Sequence, residues 1–509
     1  MTGTLRLGLG LILVTVTAFY AVLHFRVLQI GHPITQDEPG FVELTAAGNP
    51  YTHDGVLACG NVYGPAYALW ARPFTAMIAN PYSAHRWAST CALLATLSLL
   101  GWVLRREGIG GVETAAGLGI VYILNASSHA LSASGDFLGA GLYLAALAVS
   151  RRGTWPALVG GLVLVILATF TKAYFALGWV IIASQLLLFG SPRRALAYLG
   201  LSGLVVLVLA GVLQAFAPYY VGSTYVVHQT AMLRRPAVLL AQTREFALLA
   251  GGLLLLAAMH WPRKRAMTLS LRMPWLSPGV DLWDWAVLLA AATLLGWLGW
   301  HSGNYLVYFY DLLLGPLVVV ALRRLAARPQ TGRVLLSANL LVLGWLLPPL
   351  PGFDNWAALE ASVAETGGAL LADPLLEPLA RSHPNVELLS HGQTASILQA
   401  LDDLSEAVPA AYRPLHRDLL ERAQVTNSRL AAQEFAAVYL SYQRVGSVTV
   451  WSYDQRHLLK TLFAHYRPAG EIAVYLYATP YWDRLRRGDY AFHVTKWVPR
   501  PPSGTAAAP

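Results

Sequence analysis

Long apolar runs separated by short polar stretches organise the first 350 residues. A membrane-crossing helix needs roughly 17–25 mostly apolar residues. Eleven stretches read as such helices: 7–29, 84–104, 110–128, 134–150, 155–171, 173–190, 196–217, 245–260, 284–300, 305–322 and 334–350. The first has too long an apolar core for a signal peptide and no small-residue cleavage site after it, so it reads as a helix. Two longer stretches interrupt the series, at 30–83 and 218–244. Within the first, Tyr63–Met77 is apolar and aromatic on part of its surface. It reads equally as a helix lying in the membrane interface and as a short buried helix.

From residue 351 the pattern changes. Gly368–Ala372, Val386–Ser390, Val448–Trp451 and Glu471–Tyr477 have the β-branched and aromatic content of strands, and Thr394–Glu406 and Pro414–Arg429 read as helices. About 160 residues can bury a core of their own. The expected fold is therefore a polytopic α-helical membrane part, residues 1–350, followed by a small soluble α/β domain, residues 351–509. Residues 499–509 end in Pro, Gly and Ala and read as a loose tail.

Composition narrows the class. Only 12% of residues are charged and 56% are hydrophobic, whereas soluble domains average about 25% charged. This excludes a disordered chain and an ordinary soluble enzyme. Residues 1–350 hold 22 of the 36 Lys and Arg but only 11 of the 27 Asp and Glu. The bases cluster in alternate loops: Arg105–Arg106, Arg151–Arg152, Arg193–Arg194, Arg263–Lys264–Arg265 and Arg323–Arg324. Short cytoplasmic loops are rich in such residues, so the N-terminus is placed inside and, with eleven spans, residues 351–509 outside the cytoplasm. The positive charge is then a topology signal, with no nucleic-acid patch in it. Cys59 and Cys91 fall in a loop and a helix, so no disulfide or zinc framework is expected. No P-loop, GxGxxG, GxSxG or HExxH is present, which argues against a nucleotide-driven pump or a zinc protease.

Ionisable groups near membrane depth are costly and usually functional. Asp281 and Asp284 read as helix N-caps, Glu107 and Glu113 as loop acids, and Glu245 as a helix-start acid. The remaining acids gather on the non-cytoplasmic side. Asp37 and Glu38 follow the first helix, where a carboxylate suits a general base between a lipid-borne and an aqueous substrate; a cap or solvated loop acid is the plainer alternative. Asp136 opens the fourth helix as a second acid or as its cap. Asp311 lies inside the tenth helix and should face the bundle. Lys172, alone in an external turn, and Arg234 and Arg235 suit a phosphate, or else snorkel to lipid head groups. His301, Asn304 and Tyr305, with Tyr308, offer hydrogen bonds for a sugar or pyrophosphate-like group, or form an aromatic belt. His32, His53 and Asp54 match no known metal-ligand spacing.

Several short motifs together carry a resemblance: Asp37-Glu38 after the first helix, Gly48-Asn49-Pro50-Tyr51, Tyr63-Gly64-Pro65-Ala66-Tyr67, the acid Asp136, Thr171-Lys172 and Gly303-Asn304-Tyr305. The chain resembles the C-type (GT-C) glycosyltransferases, in particular the branch of protein O-mannosyltransferases and lipid A aminoarabinose transferases. The resemblance implies a multi-pass inner-membrane enzyme with an extracytoplasmic active site. It would use a polyprenyl-phosphate sugar and transfer it with inversion to a glycan, lipid or protein hydroxyl. Asp37 would be the catalytic carboxylate, Glu38 its support, and Asp136 the second acid. Lys172, Arg234 and Arg235 would hold the donor phosphate, and Tyr63, His301, Asn304 and Tyr305 the substrates. The aminoarabinose transferases carry a base just before the proline of the first-loop helix, where Gly64 stands here. Phosphate binding would then draw on another base such as Arg72. A divalent cation is left open, because the requirement varies across the superfamily. The competing reading is a transporter or flippase of a lipid-linked saccharide. Neither an inverted repeat nor a helix broken at the midplane is visible in the sequence, and a large external domain is unusual for transporters.

Overall fold

The structure, a computed structural model, describes residues 2–34, 38–46, 48–59, 63–127, 135–226, 236–259, 281–300, 307–325, 329–345, 355–389, 392–404, 407–445, 448–451, 456–476 and 491–501. In their described residues, all eleven predicted apolar stretches fall largely on helix. The N-terminal helix α1 spans Thr2–Gln29, and the first loop contributes three short helices, α2 (Glu38–Ala46), α3 (His53–Cys59) and α4 (Ala66–Met77). The bundle continues through α5 (Pro81–Arg106), α6 (Gly111–Ser127), α7 (Asp136–Ser150), α8 (Trp155–Thr169), α9 (Leu177–Phe189) and α10 (Pro192–Phe216). It then adds α11 (Pro236–Leu249), α12 (Gly251–Met259), α13 (Leu282–Gly296), α14 (Gly315–Leu325) and α15 (Pro329–Trp345). Among the described residues, Thr4–Leu28, Pro81–Arg106 and Pro192–Phe216 are long and apolar enough to cross a membrane by length and composition. One large apolar core joins the bundle helices, with Tyr143, Leu144, Leu314, Val318 and Leu322 at its centre.

The predicted stretch 245–260 is not one straight helix. It breaks between α11 and α12 with an 81° bend, a break that the sequence did not show. Asn339 of α15 satisfies the groups freed there, accepting from Gly252 N–H at 2.9 Å and donating to Leu249 O at 2.7 Å. Gly252 is required: a Cβ would lie 2.6 Å from Leu335 O.

Residues 355–501 form a six-stranded mixed sheet with helices. Its strands are β1 (Leu370–Ala372), β2 (Val386–Leu388), β3 (Ala437–Val445), β4 (Val448–Trp451), β5 (Tyr466–Leu476) and β6 (Ala491–Pro499). The order is β2-β1-β3-β6-β5, with β4 paired to β3. β1 is parallel to β2 and β3, while β6 is antiparallel to β3 and β5. Successive strand residues face opposite sides. Leu370 and Ala372 pack under Leu359 and Val363 of helix α16 (Trp356–Glu365), and Leu371 packs on the other face with Leu458 and Leu462 of α20 (Arg456–His465). Val27 at the end of α1 and Ile34 belong to the first of these clusters, so the sheet unit sits on the outgoing end of α1.

That unit also grips the first loop. Val56 of α3 packs among Ile397 and Leu401 of α18 (Gly392–Leu404) and Leu415 and Leu419 of α19 (Arg413–Ala431). His53 pairs with Asp418 at 2.9 Å, and Arg422 donates to Leu57 O at 2.8 Å. Tyr82 donates to Glu377 of α17 (Glu377–Ser382) at 2.9 Å, and Gly222 N–H donates to Tyr412 Oη at 2.9 Å. The grip explains the histidines of this loop. His32 stacks on Trp356 at 4.4 Å, with the planes 4° apart, while His53 faces α19. Among the described residues no group of three or more His, Cys, Asp or Glu forms a metal cluster, so His32, His53 and Asp54 do not converge on one ion.

Candidate active site

The site is built where the turn between α8 and α9 meets the first loop. After α8, Lys172 is extended and caps a 3₁₀ turn, Ala173–Ala176. The first loop docks on this turn through its backbone: Gly64 N–H donates to Thr171 O at 3.3 Å and Ala66 N–H to Phe170 O at 3.0 Å. Contact is so close that a Cβ on Gly64 would lie 1.9 Å from Phe170 O. No side chain, basic or otherwise, fits at position 64. The docking brings the Tyr63 ring to 5.0 Å from the Lys172 ammonium, within cation–π range. Tyr63 also stacks on Phe41 of α2 at 4.9 Å.

Asp136, first residue of α7, ion-pairs with Lys172. Its helix has Gly135 at the N-cap, with no side-chain cap bond. Tyr174 donates to Asp136 Oδ1 at 3.1 Å and also contacts Asp311 Oδ2. Asp311 lies in a π-helical turn, Phe309–Leu314, just before α14, and is 3% exposed. Such turns recur at functional sites. Tyr308 stands edge-on to Tyr174 at 4.7 Å. Two carboxyls thus share one phenol and face one ammonium. Sequence reasoning found Asp136, Lys172, Tyr63, Tyr308 and Asp311, and the structure brings them together. It missed Tyr174, which links the acids.

Glu38 has a different position. It is fully buried with Arg86 of α5, whose Nε donates to Oε1 at 2.8 Å and whose Nη2 donates to Oε2 at 2.7 Å. Arg86 also donates to the carbonyls of Val27 (3.3 Å), Ile30 and His32 (2.6 Å). Ile34 N–H donates to Glu38 Oε2 at 2.7 Å. One guanidinium therefore ties the end of α1 to the start of α2, on both sides of residues 35–37. Arg86 is the second residue missed from sequence; its signal was an arginine near the start of an apolar helix.

Deeper in the same loop, burial pushes the Glu43 carboxyl up to about 7, and its neighbour Cys59 hydrogen-bonds to it. The predicted interface helix α4 is divided: Tyr67, Ala68 and Ala71 are buried while Leu69 and Met77 are exposed. Arg72 stands on the exposed side, and among the described residues no ion pair joins it to Asp136. Asp37, Arg234, Arg235, His301, Asn304 and Tyr305 lie outside the described residues.

No protein-family model matches the chain, and no curated protein matches it significantly in sequence. Two solved structures match its fold. ArnT from Cupriavidus metallidurans in the apo state aligns with a TM-score of 0.51 at 13% identity, covering 95% of this chain and 97% of that one. The same protein bound to undecaprenyl phosphate gives 0.52, with the same identity and coverage. The chain is thus similar in fold, almost from end to end, to ArnT, a C-type glycosyltransferase.

Proposed function

We propose that this chain is a membrane glycosyltransferase that moves a sugar from a polyprenyl-phosphate donor to an acceptor hydroxyl on the extracytoplasmic face. The observation that carries the reading is the end-to-end fold likeness to a protein solved with undecaprenyl phosphate. The Asp136–Lys172–Tyr174–Asp311 cluster supports it, by supplying acids and a phosphate-sized base beside the first loop. Membership of the GT-C superfamily belongs to this reading, as do eleven spans, an internal N-terminus, residues 351–509 as an external domain, and an inner-membrane location.

In the reaction the acceptor oxygen attacks the anomeric carbon from the face opposite the phosphate. The new C–O bond forms as the sugar–phosphate C–O bond breaks, so the configuration inverts. Asp37 takes the acceptor proton, and the bonding electron pair leaves on the polyprenyl phosphate. Lys172, with Arg234 and Arg235, neutralises the charge growing on that phosphate, the stabilisation that matters most in the transition state. Asp136 holds Lys172 until the phosphate arrives. Glu38, fixed by Arg86, sets the loop that carries Asp37. Tyr63, His301, Asn304 and Tyr305 line the substrates.

The test incubates the purified chain in lipid nanodiscs with a labelled polyprenyl-phosphate sugar and an acceptor, and follows release of polyprenyl phosphate. Asp37→Asn is expected to abolish release while leaving the unfolding temperature unchanged. Full activity in that variant would sink the catalytic assignment. Movement of intact donor across a vesicle bilayer, without cleavage, would replace the reading with a transporter.

A further inference from the structure

We infer that Tyr51 is a positioning residue: its phenol locks the Tyr63–Gly64 peptide, and the lock keeps the Tyr63 ring on Lys172. Tyr63 O and Gly64 N–H belong to one planar unit. The bond between them is trans, so the two groups point in opposite directions. Gly64 N–H donates to Thr171 O at 3.3 Å. On the other side Tyr51 Oη contacts Tyr63 O, and since a carbonyl only accepts, the phenol is the donor. The peptide is pinned from both sides, and its plane cannot turn without breaking a bond. Fixing that plane fixes the direction in which the Tyr63 side chain leaves the backbone. Stacking on Phe41 at 4.9 Å then selects its rotamer, and the ring lies 5.0 Å from the Lys172 ammonium.

Tyr51 is itself held. It closes the Gly48-Asn49-Pro50-Tyr51 motif, which the transfer reaction leaves without a part. The Asn49 side chain accepts from Tyr51 N–H at 3.1 Å and donates to Phe216 O at the end of α10. Tyr51 O accepts from Tyr219 N–H at 3.1 Å. The Tyr51 ring is buried edge-on to Tyr220 at 5.0 Å, and Tyr220 lies 5.7 Å from Phe170. Phe170 is also the residue whose carbonyl receives Ala66 N–H. The turn that accepts the Tyr63–Gly64 peptide therefore also backs the ring that grips it. Packing alone asks only for an aromatic ring at position 51. The hydroxyl is what reaches Tyr63 O, so phenylalanine separates packing from positioning.

What the ring and the lysine act on rests on the transfer reaction proposed above, and the experiment separates the two. Tyr51→Phe keeps the ring and removes one oxygen. Hydrogen exchange of the purified chain in nanodiscs, without substrate and resolved to single amides, is expected to quicken about 3- to 10-fold at Gly64, the worth of one neutral hydrogen bond. The amides of α3 should be unchanged. No change at Gly64, or an equal rise throughout α3, overturns the inference. With a labelled polyprenyl-phosphate sugar, Tyr51→Phe is expected to lower kcat/KM about 3- to 10-fold, and wild-type kcat/KM overturns the inference as well. The same substitution made in Tyr63→Leu is expected to change kcat/KM by less than about twofold, because residues that act as a unit are not additive. A full loss in that background would mean that Tyr51 acts through something other than Tyr63, and the inference falls. A wild type that cleaves no donor, with exchange at Gly64 quickened in Tyr51→Phe, sinks the transferase reading alone.

Discussion

The two ends of the helical bundle handle buried charge in opposite ways, and α7 connects them. This helix begins at Asp136 and ends beside Arg151, so at 1.5 Å per residue the two ends lie about 22 Å apart. At the Arg151 end three acids meet three arginines. Arg151 pairs with Glu107 and, at 3.1 Å, with Asp281. Arg323 pairs with Asp281 and, at 3.1 Å, with Asp284, and Arg324 pairs with Asp284 at 2.7 Å. Asp281 also caps α13 through Trp283 N–H at 2.9 Å. At the Asp136 end, among the described residues, two carboxyls meet one lysine. Matched charge leaves no base to give up and serves to join α7, α13 and α14. Among the described residues, Lys172 forms its ion pair with Asp136. On the function proposed above, charge stoichiometry among the described residues, more than burial, separates a structural cluster from the candidate site.

Arg86→Leu puts the sharpest strain on that distinction. The Arg86–Glu38 pair is a matched one located on the working side, and both side chains are fully buried. Removing one partner of such a pair costs about 3–5 kcal/mol, because the other charge is left uncompensated. Unfolding of the purified variant should shift by that amount. A variant as stable as the wild type would show that Glu38 finds other partners. Lys172→Met is next. It removes the one base of the unmatched cluster while preserving its bulk, and is expected to lower kcat/KM about 100-fold or more. Turnover near wild type would move the phosphate site away from this turn.

Much of this contrast could be read from the residues alone, and the unread part has a physical reason. The apolar runs located the bundle helices, because a span must hide its backbone in a continuous apolar surface; the exception is the first part of α11, whose residues 236–244 read as loop. Asp136 and Lys172 stood out as rare charges in such surroundings, and Tyr63 entered through the motif resemblance. Tyr174 did not, since a tyrosine at a membrane helix end reads as an interface anchor. Arg86 pairs across 48 residues with Glu38, and no local spacing encodes such a contact. The break after Leu249 was equally hidden, as its enabling group, Asn339, lies 90 residues away. In the sheet, β1, β2, β4 and the second half of β5 were located, but the central β3 and its partner β6 were missed. Their pairing is non-local, and strand preference depends on the neighbours a strand meets.

A third kind of buried acid sharpens the comparison further. Asp373, in the sheet unit, has hydroxyl and amide partners where the bundle acids have cations. It accepts from Leu375 N–H at 2.9 Å, from Ser441 N–H at 3.3 Å and from the Ser441 hydroxyl. Burial pushes its carboxyl from 3.8 up to about 7. The folded chain therefore keeps this proton where the unfolded chain has lost it. Its contribution to stability is fully present below about pH 4, falls as pH rises towards 7, and is level above that. The loss is on the order of 4 kcal/mol across the window. Asp373→Asn does not titrate, so wild-type stability relative to this variant should decline from pH 4 to pH 7. A flat or rising difference would show that the hydroxyl and amides already hold the acid ionised.

Asp284→Asn tests the matched end directly and should have the smallest effect. The carboxylate bridges Arg323 and Arg324, and asparagine keeps its shape and one acceptor oxygen. Both arginines retain other partners, Arg323 with Asp281 and Arg324 with Ala257 O. The cost is therefore limited to weakened charge-assisted bonds, about 1–2 kcal/mol in unfolding free energy. Turnover per folded molecule should be unchanged, because the nearest working group lies a helix length away. A fall in kcat comparable to that of Lys172→Met would mean that α7 transmits charge changes between its ends, and the two clusters would then be one device.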